Sequence, residues 1–174
     1  MFTPSVGILL LPDASFFGTT SRVTSGDGVP VATIRRGTWN ARGRFEILAA
    51  AGEEVLATGG QAGFWGNKYE LMGPQSQFLL SLKFSGWTGP TGRGVVSLPD
   101  GRVLTTQGTW TARDFTLADE AGTPVAELRN HGGLTAVKQS LIFELRAPVL
   151  SIVQAIGLAQ CLRAAVESAA ATVA

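Results

Sequence analysis

The segment PVLSIVQAIGLAQCLRAAVESAA, residues 148–170, is helical in composition and apolar on nearly all sides. Only Ser151, Gln154 and Gln160 are polar before its first charged residue. A helix that is apolar all round must be enclosed by the rest of its domain. Pro148 suits the first helical turn, because its φ is fixed and it has no backbone N–H to leave unpaired. The segment therefore predicts a buried C-terminal helix, about 33 Å long at about 1.5 Å per residue.

A membrane anchor is the alternative interpretation of this segment, because a membrane span needs about 20 predominantly apolar residues. The uncharged run is closed by Arg146 and Arg163, and it contains Pro148, Gly157 and two glutamines. It is therefore too short and too polar for a span. Gly157 also fits burial, since a missing side chain lets another backbone come close. We interpret the segment as a helix inside the domain.

Length and composition predict a single β-rich domain. A chain of 174 residues has the usual size of one domain. Its 22 glycines and few charged residues are typical of short strands joined by tight turns. The formal net charge of +1 gives no bulk attraction to nucleic acid, so no nucleic-acid partner is expected. No basic residue precedes the apolar run near the amino terminus, which is unlike a secretory signal, and we expect a cytoplasmic protein.

The sequence before the helix reads as a series of β-hairpins. Residues 1–21 are expected to form a first strand at the periphery of the domain. Asp27-Gly28 is a turn signal between two β-forming runs, and the break at residues 51–53 separates a second pair. Residues 77–84 alternate on a strand period, with Phe78 predicted on the same face as the apolar residues at every second position after it. The last strand, 140–146, leads directly into the helix.

Two parts of the sequence resemble each other. GTWNARGRFEIL at residues 37–48 matches GTWTARDFTL at residues 108–117, and AAAGEEVLAT matches DEAGTPVAEL directly after them. The match pairs Trp39 with Trp110, Arg42 with Arg113, and Phe45 with Phe115. Self-similarity of this kind indicates an internal duplication. We therefore predict that the two tryptophans lie in equivalent strands and that the two phenylalanines face the interior.

The inner apolar face of the duplicated hairpins needs a cover, and the closing helix supplies it. If the two halves curve into one closed sheet, no edge strands remain and the apolar helix can fill the interior. The sequence thus predicts a mainly β protein, which is a closed antiparallel β-barrel with an internal two-fold repeat around a central hydrophobic C-terminal α-helix.

The hairpin unit DFTLADEAGTPVAEL, its repetition, and a last strand that runs into an apolar helix resemble the tubby C-terminal-like superfamily. This superfamily includes tubby-like proteins, plant LURP-one-related proteins and phospholipid scramblases, and the likeness is closest to the LURP-one-related branch. The resemblance implies a barrel of about twelve strands around a central helix. Tubby proteins bind phosphoinositides and scramblases act on membranes. The cysteine cluster and acidic calcium segment of scramblases are absent here, and tubby's lipid-binding residues do not map onto this sequence.

The sequence contains no motif for catalysis, for a cofactor or for a metal. One His and one Cys cannot form a Cys/His zinc set, and neither a G-x-S-x-G elbow nor a Walker-type loop is present. We therefore expect a non-enzymatic protein with no cofactor and no metal. His131 is expected to be a solvent-exposed loop residue. Cys161 is expected to be a small buried apolar side chain.

Five arginines stand out in the first repeat. They are Arg22, Arg35, Arg36, Arg42 and Arg44. Only one acidic residue, Asp27, lies among them, whereas the second repeat is more acidic, so opposed repeats would polarise the barrel. A solvated strand-and-turn surface is the simplest interpretation. The alternative is a patch for an anionic ligand or lipid headgroup, in which each basic residue contributes about 1 kcal/mol.

These observations predict a non-enzymatic barrel module that binds anionic membrane lipid or a protein partner, with peripheral membrane association. A carrier of a small apolar ligand is one alternative, and an enzyme with an unrecognised site is another. The carrier is disfavoured, because a central helix occupies the space that a ligand inside the barrel would take.

Overall fold

The computed structural model describes residues 1–12, 19–37, 43–63, 67–85, 93–109, 114–131 and 140–173. Its strands are β1 (Gly7–Pro12), β2 (Thr20–Ser25), β3 (Pro30–Arg36), β4 (Phe45–Ala49), β5 (Val55–Gln61), β6 (Lys68–Met72), β7 (Phe78–Phe84), β8 (Gly94–Ser97), β9 (Val103–Thr109), β10 (Asp114–Ala118), β11 (Pro124–His131) and β12 (Ser140–Leu145). A short 3-10 turn, Pro74–Ser76, precedes β7, and helix α1 (Ile152–Val173) follows β12. Each strand pairs antiparallel with the next, and β12 pairs with β1, which closes the barrel. The predicted mainly β, closed antiparallel barrel is confirmed.

Helix α1 runs inside this barrel. Residues 155–162 are all buried, and they cover more than two helical turns, so the helix is enclosed on every side. Gly157 lies where α1 passes β6, and a Cβ at this position would lie 2.4 Å from Leu71 Cδ2. The missing side chain of Gly157 therefore makes room for the Leu71 side chain, whereas the sequence predicted the close approach of another backbone.

The helix begins at Ile152, not at Pro148 as the sequence suggested. Ser151 and Gln154 form a capping box: the Gln154 N–H donates to Ser151 Oγ at 3.2 Å, and the Ser151 N–H donates to Gln154 Oε1 at 2.9 Å. Gln154 Nε2 also donates to the Leu79 carbonyl at 2.9 Å. These bonds fix the start of α1 against β7, and Pro148 lies in the turn before it.

Strand β1 is part of the barrel wall, so the expected peripheral position of residues 1–21 does not hold for it. β1 pairs with β12 along its whole length and with β2 at Leu9 and Leu10. Leu9 and Leu11 point inward and are only 4% and 1% exposed. Without β1, the edges of β2 and β12 would have unpaired backbone N–H and C=O groups. Pairing with β1 satisfies both edges and closes the barrel.

Alternation along the strands separates the core from the outer surface. In β7, Leu80, Leu82 and Phe84 are buried and Lys83 between them is exposed, as predicted. Phe78, however, is half-buried, and Leu79 is buried in its place. A register shift between β6 and β7 at Met72 changes the alternation there, and the period-two pattern did not reveal this bulge.

The two halves of the barrel share their turn geometry. Gly28 and Gly101, in the β2–β3 and β8–β9 turns, both have φ of 86°. The β4–β5 and β10–β11 ladders each contain a register shift at the equivalent position. Phe45 and Phe115 are both 4% exposed and face the interior, as predicted. These features support the internal duplication; Trp39, Trp110, Arg42 and Arg113 lie outside the described residues.

Candidate anion-binding groove

The structure separates the five arginines by the face of the sheet on which each one lies. Arg36 follows the inward positions Ala32 and Ile34 at the strand period. Its Nη2 and Nε donate to Gln160 Oε1 on α1 at 2.8 and 3.1 Å, and its Nη1 donates to Ser21 Oγ at 3.4 Å. Arg36 therefore joins the barrel wall to the helix, and it also lines the groove described below together with Arg35 and Arg44. Arg42 lies outside the described residues.

Arg22, Arg35 and Arg44 lie on the outer surface of the first repeat. Arg22 is exposed on β2, and Arg44 is exposed just before β4. Arg35 is opposite Glu46 in the β3–β4 ladder, and its Nε lies 2.6 Å from Glu46 Oε2. The side chains of this ion pair are 50% and 37% exposed, so the pair contributes at most about 1 kcal/mol to stability. An incoming anion can therefore compete with Glu46 for Arg35 at little cost.

An open groove of about 740 Å³ lies on this outer surface, over β3 to β6. Its lining includes Arg35, Arg44, Glu46, Gly60, Glu70 and Met72. Gly60, which has no side chain, lies in the groove lining on β5. Glu70 pairs with Gly60 in the β5–β6 ladder and also lines the groove.

Two lysines extend the basic surface beyond the groove. Lys68 and Lys83 are opposite each other in the β6–β7 ladder and face outward beside buried apolar neighbours. Lys68 Nζ lies 2.6 Å from Glu70 Oε1, so this glutamate is partly neutralised. Neither lysine was predicted as a binding residue, because each is a single charge in an apolar strand and only the pairing of β6 with β7 brings them together. Their outward positions in the alternation of each strand are the sequence feature that could have identified them.

The outer surface from β2 to β7 is thus predominantly basic near the groove. Guanidinium groups bind phosphate and carboxylate oxygens through paired N–H donors, and ammonium groups bind them as point charges. Arg35 and Arg44 contribute to the groove walls, and Glu46 and Glu70 moderate their charge. This arrangement suits reversible binding of an anionic group.

The barrel interior holds the two side chains that would otherwise be nucleophile candidates. Tyr69 is 1% exposed and packs edge-on against Phe84 with ring centroids 6.4 Å apart. Burial, with a smaller effect of the neighbouring Cys161, raises the pKa of Tyr69 to about 12. Burial also raises the pKa of the Cys161 thiol, which confirms the prediction of a buried apolar side chain. Both groups therefore remain protonated at neutral pH.

His131 is exposed, as predicted, but it is the last residue of β11 and pairs with Ser140 of β12, so the predicted loop position is wrong. Among the described residues, no group of three or more His, Cys, Asp or Glu side chains is arranged to hold a metal ion. No helix in the described ranges is long and apolar enough to cross a membrane.

Comparison with known proteins gives a relation at the level of the fold. No protein-family model matches the chain. No curated protein matches it either. Among solved structures, it is similar to the X-ray structure of the Arabidopsis thaliana protein AT5G01750, with a TM-score of 0.53 and 14% sequence identity over 84% of this chain and 85% of that one. At 14% identity, this similarity shows a shared fold and nothing further.

Proposed function

We propose that this protein is a non-enzymatic, cytoplasmic barrel module of the tubby and LURP-one type, which attaches peripherally to membranes by binding anionic lipid headgroups in the outer groove. The observation that carries the proposal is the groove itself, with Arg35 and Arg44 in its walls. Arg22, Lys68 and Lys83 add positive charge on the same outer surface.

The dimensions and electrostatics of the groove support headgroup binding. A volume of about 740 Å³ admits a phosphate-bearing headgroup, and the open shape allows a headgroup to enter while its acyl chains stay in the membrane. Near an anionic membrane each basic residue contributes about 1 kcal/mol. Three arginines therefore contribute about 3 kcal/mol, or roughly two orders of magnitude in affinity.

The filled interior supports a surface role over the alternative of a small-ligand carrier. Helix α1 is buried all round between residues 155 and 162, so side chains occupy the volume that a lipocalin-type ligand would need. The enclosed Tyr69 and Cys161 likewise support a binding role over a catalytic one.

Co-sedimentation with vesicles tests this proposal. Wild-type protein is mixed with phosphatidylcholine vesicles that either contain or lack phosphatidylserine, at low and at physiological salt. The test variant carries Arg22→Glu, Arg35→Glu and Arg44→Glu. The matched control carries Arg102→Glu, Arg129→Glu and Arg146→Glu. Both variants undergo the same change of net charge. The test variant loses the Arg35–Glu46 ion pair, and the control loses the pairs of its arginines with Asp100, Glu127 and Glu144.

We expect the wild type and the control to bind only the anionic vesicles, with binding that weakens as salt is raised, since the Debye length is about 8 Å at physiological salt. The test variant should lose this binding. Equal binding by the two variants, or no binding of the wild type at low salt, would show that the groove is not a headgroup site. A thermal melt of each variant verifies that it is folded.

A further inference from the structure

Exposed apolar side chains concentrate at one end of the barrel, where α1 begins. We call this the helix-start end; it comprises residues 1–8, the strand connections 26–29, 50–54, 73–77, 98–102 and 119–123, and the segment 146–151 that leads into α1, all of which the structure describes. In the described part of the chain, the large apolar residues that are exposed are Met1, Phe2, Val6, Ile8, Val29, Val55 and Val95. All but Val95 belong to this end or adjoin it.

Backbone contacts join several of these side chains into one surface. Ile8 lies against the β2–β3 turn, since a Cβ on Gly26 would be 3.1 Å from Ile8 Cβ and the Gly26 N–H donates to the Ile8 carbonyl at 2.8 Å. Val29 closes the same turn by accepting the Ser25 N–H at 2.9 Å. Val6, two residues before Ile8, is 63% exposed, and Val29 is 55% exposed.

The amino-terminal residues are fastened across the start of the helix. Pro4 forms a β-bridge with Ser151, and the Ser5 N–H donates to the Leu150 carbonyl at 3.0 Å. These contacts fix the segment across the start of α1, and Ile8, which follows it, lies against the β2–β3 turn. The result is a fixed apolar surface that the described residues leave open to solvent.

Acidic side chains lie in the strand connections around the same end of the barrel. The strand connections at the helix-start end contain Asp27, Glu53, Glu54, Asp100, Asp119 and Glu120. Their basic residues are Arg102, which pairs with Asp100 at 2.6 Å, and Arg146, which hydrogen-bonds Glu127 and Glu144. Hydrogen bonds from Ser25 and from Arg102 hold the pKa values of Asp27 and Asp100 below their usual range. The carboxylates at this end therefore outnumber its positive groups, which are Arg102, Arg146 and the amino terminus, in contrast to the basic groove on the outer wall.

We infer that the helix-start end docks a basic amphipathic segment of a partner protein. The apolar side chains of Val6, Ile8 and Val29 take the apolar face of the segment, and the surrounding carboxylates take its lysines or arginines. An anionic membrane does not fit this end, because its charge repels the carboxylates. A second copy of the same acidic end is disfavoured for the same reason. The inference goes beyond the proposed function, since it concerns a different surface of opposite charge.

A synthetic amphipathic helix of leucine and lysine is a direct probe of this surface. Fluorescence anisotropy measures its binding to wild-type protein, alongside a peptide with serine in place of leucine and a peptide with glutamate in place of lysine. The apolar variant carries Val6→Ser, Ile8→Thr and Val29→Ser. The charge variant carries Glu53→Lys, Glu54→Lys and Glu120→Lys. Val95→Ser, which changes an exposed valine on β8, is the matched control.

We expect the leucine-lysine peptide to bind best, and both triple variants to weaken its binding by on the order of tenfold or more. Val95→Ser should bind as the wild type does. Equal binding of the serine-lysine peptide, or no loss in the apolar variant, would overturn the inference in favour of diffuse charge attraction.

Two further measurements identify a different occupant. Loss of vesicle binding in the apolar variant would overturn the inference and assign this end to the membrane. Concentration-dependent dimers in sedimentation of the wild type, absent in the apolar variant, would overturn it in favour of a second copy of the chain. Because the groove is tested with changes at other residues, its failure and the failure of this inference are distinguishable.

Discussion

Replacing Gly157 with alanine should destabilise the protein, because the helix has no room for a methyl group where it passes β6. An alanine Cβ would lie 2.4 Å from Leu71 Cδ2 and 3.0 Å from Leu71 Cγ. Leu71 is fully buried, so its side chain cannot move aside without displacing its own neighbours. The substitution thus forces a rearrangement in the most tightly enclosed part of the core.

The expected loss follows from two opposing effects. Overpacking of a core costs about 1–3 kcal/mol, whereas alanine favours the helical conformation over glycine by about 1 kcal/mol. We expect Gly157→Ala to lower the free energy of unfolding by about 1–2 kcal/mol. For a chain of this size, that corresponds to a decrease in Tm of about 2–8 °C.

A double-mutant cycle with Leu71→Ala provides the decisive measurement. Leu71→Ala alone should cost about 2–5 kcal/mol, because it leaves a cavity beside the helix. In that background Gly157→Ala should be neutral or stabilising, since the clash is gone and the helical preference remains. If Gly157→Ala stabilises the otherwise unchanged protein, or if the two costs simply add, the close packing of α1 against β6 is refuted.

Two other substitutions probe the contacts between the helix and the wall. The raised pKa of Tyr69 means that its burial stabilises the fold below about pH 10 and that this stability is lost as pH rises from about 10 to about 12, by about 2–3 kcal/mol in total. Tyr69→Phe should remove this part of the alkaline destabilisation. Because the chain has one tyrosine, the tyrosinate absorbance of the wild type reports on Tyr69 alone and should titrate in the same pH range. A measured pKa near 10 would contradict the burial of Tyr69. Gln160→Leu removes the acceptor of two Arg36 bonds and should lower the free energy of unfolding by about 1–3 kcal/mol, whereas Gln160→Glu, which keeps an acceptor, should cost less. Equal melting temperatures for the two Gln160 variants would show that the bonds to Arg36 do not stabilise the fold.

Much of the architecture follows from patterns that are local in the chain. The all-round apolar character of residues 148–170 predicts an enclosed helix, and the alternation of the hairpins predicts the sheet that encloses it. The predicted start at Pro148 is wrong, because the Ser151–Gln154 spacing is itself a capping signal and its hydrogen bonds place the start of the helix at Ile152. Both signals are present in the sequence, and the hydrogen bonds decide between them.

The arrangement of the charges depended on pairings that are distant in the chain. The inward direction of Arg36 follows from the alternation that begins at Ala32, but its acceptor Gln160 lies in the last element. Lys68 joins the basic surface only because β6 lies beside β5 and β7. The sequence predicted that a basic first repeat would lie opposite a more acidic second repeat. In the structure, the acidic turns of both repeats lie at the same end of the barrel. Six antiparallel strands per repeat return the chain to the end where it started, so equivalent turns meet there.

The position of α1 after all twelve strands has a consequence for synthesis of the protein. While the chain leaves the ribosome, the strands emerge before the helix that fills their interior, and their inner leucines and phenylalanines have nothing to pack against. Such exposed apolar surface promotes aggregation, and β1 must wait for β12 before its second edge is paired. The barrel can therefore close only after its last strand has been made, and its core is complete only once the helix has followed. A nascent chain that stalls before Ile152 would be a substrate for chaperones.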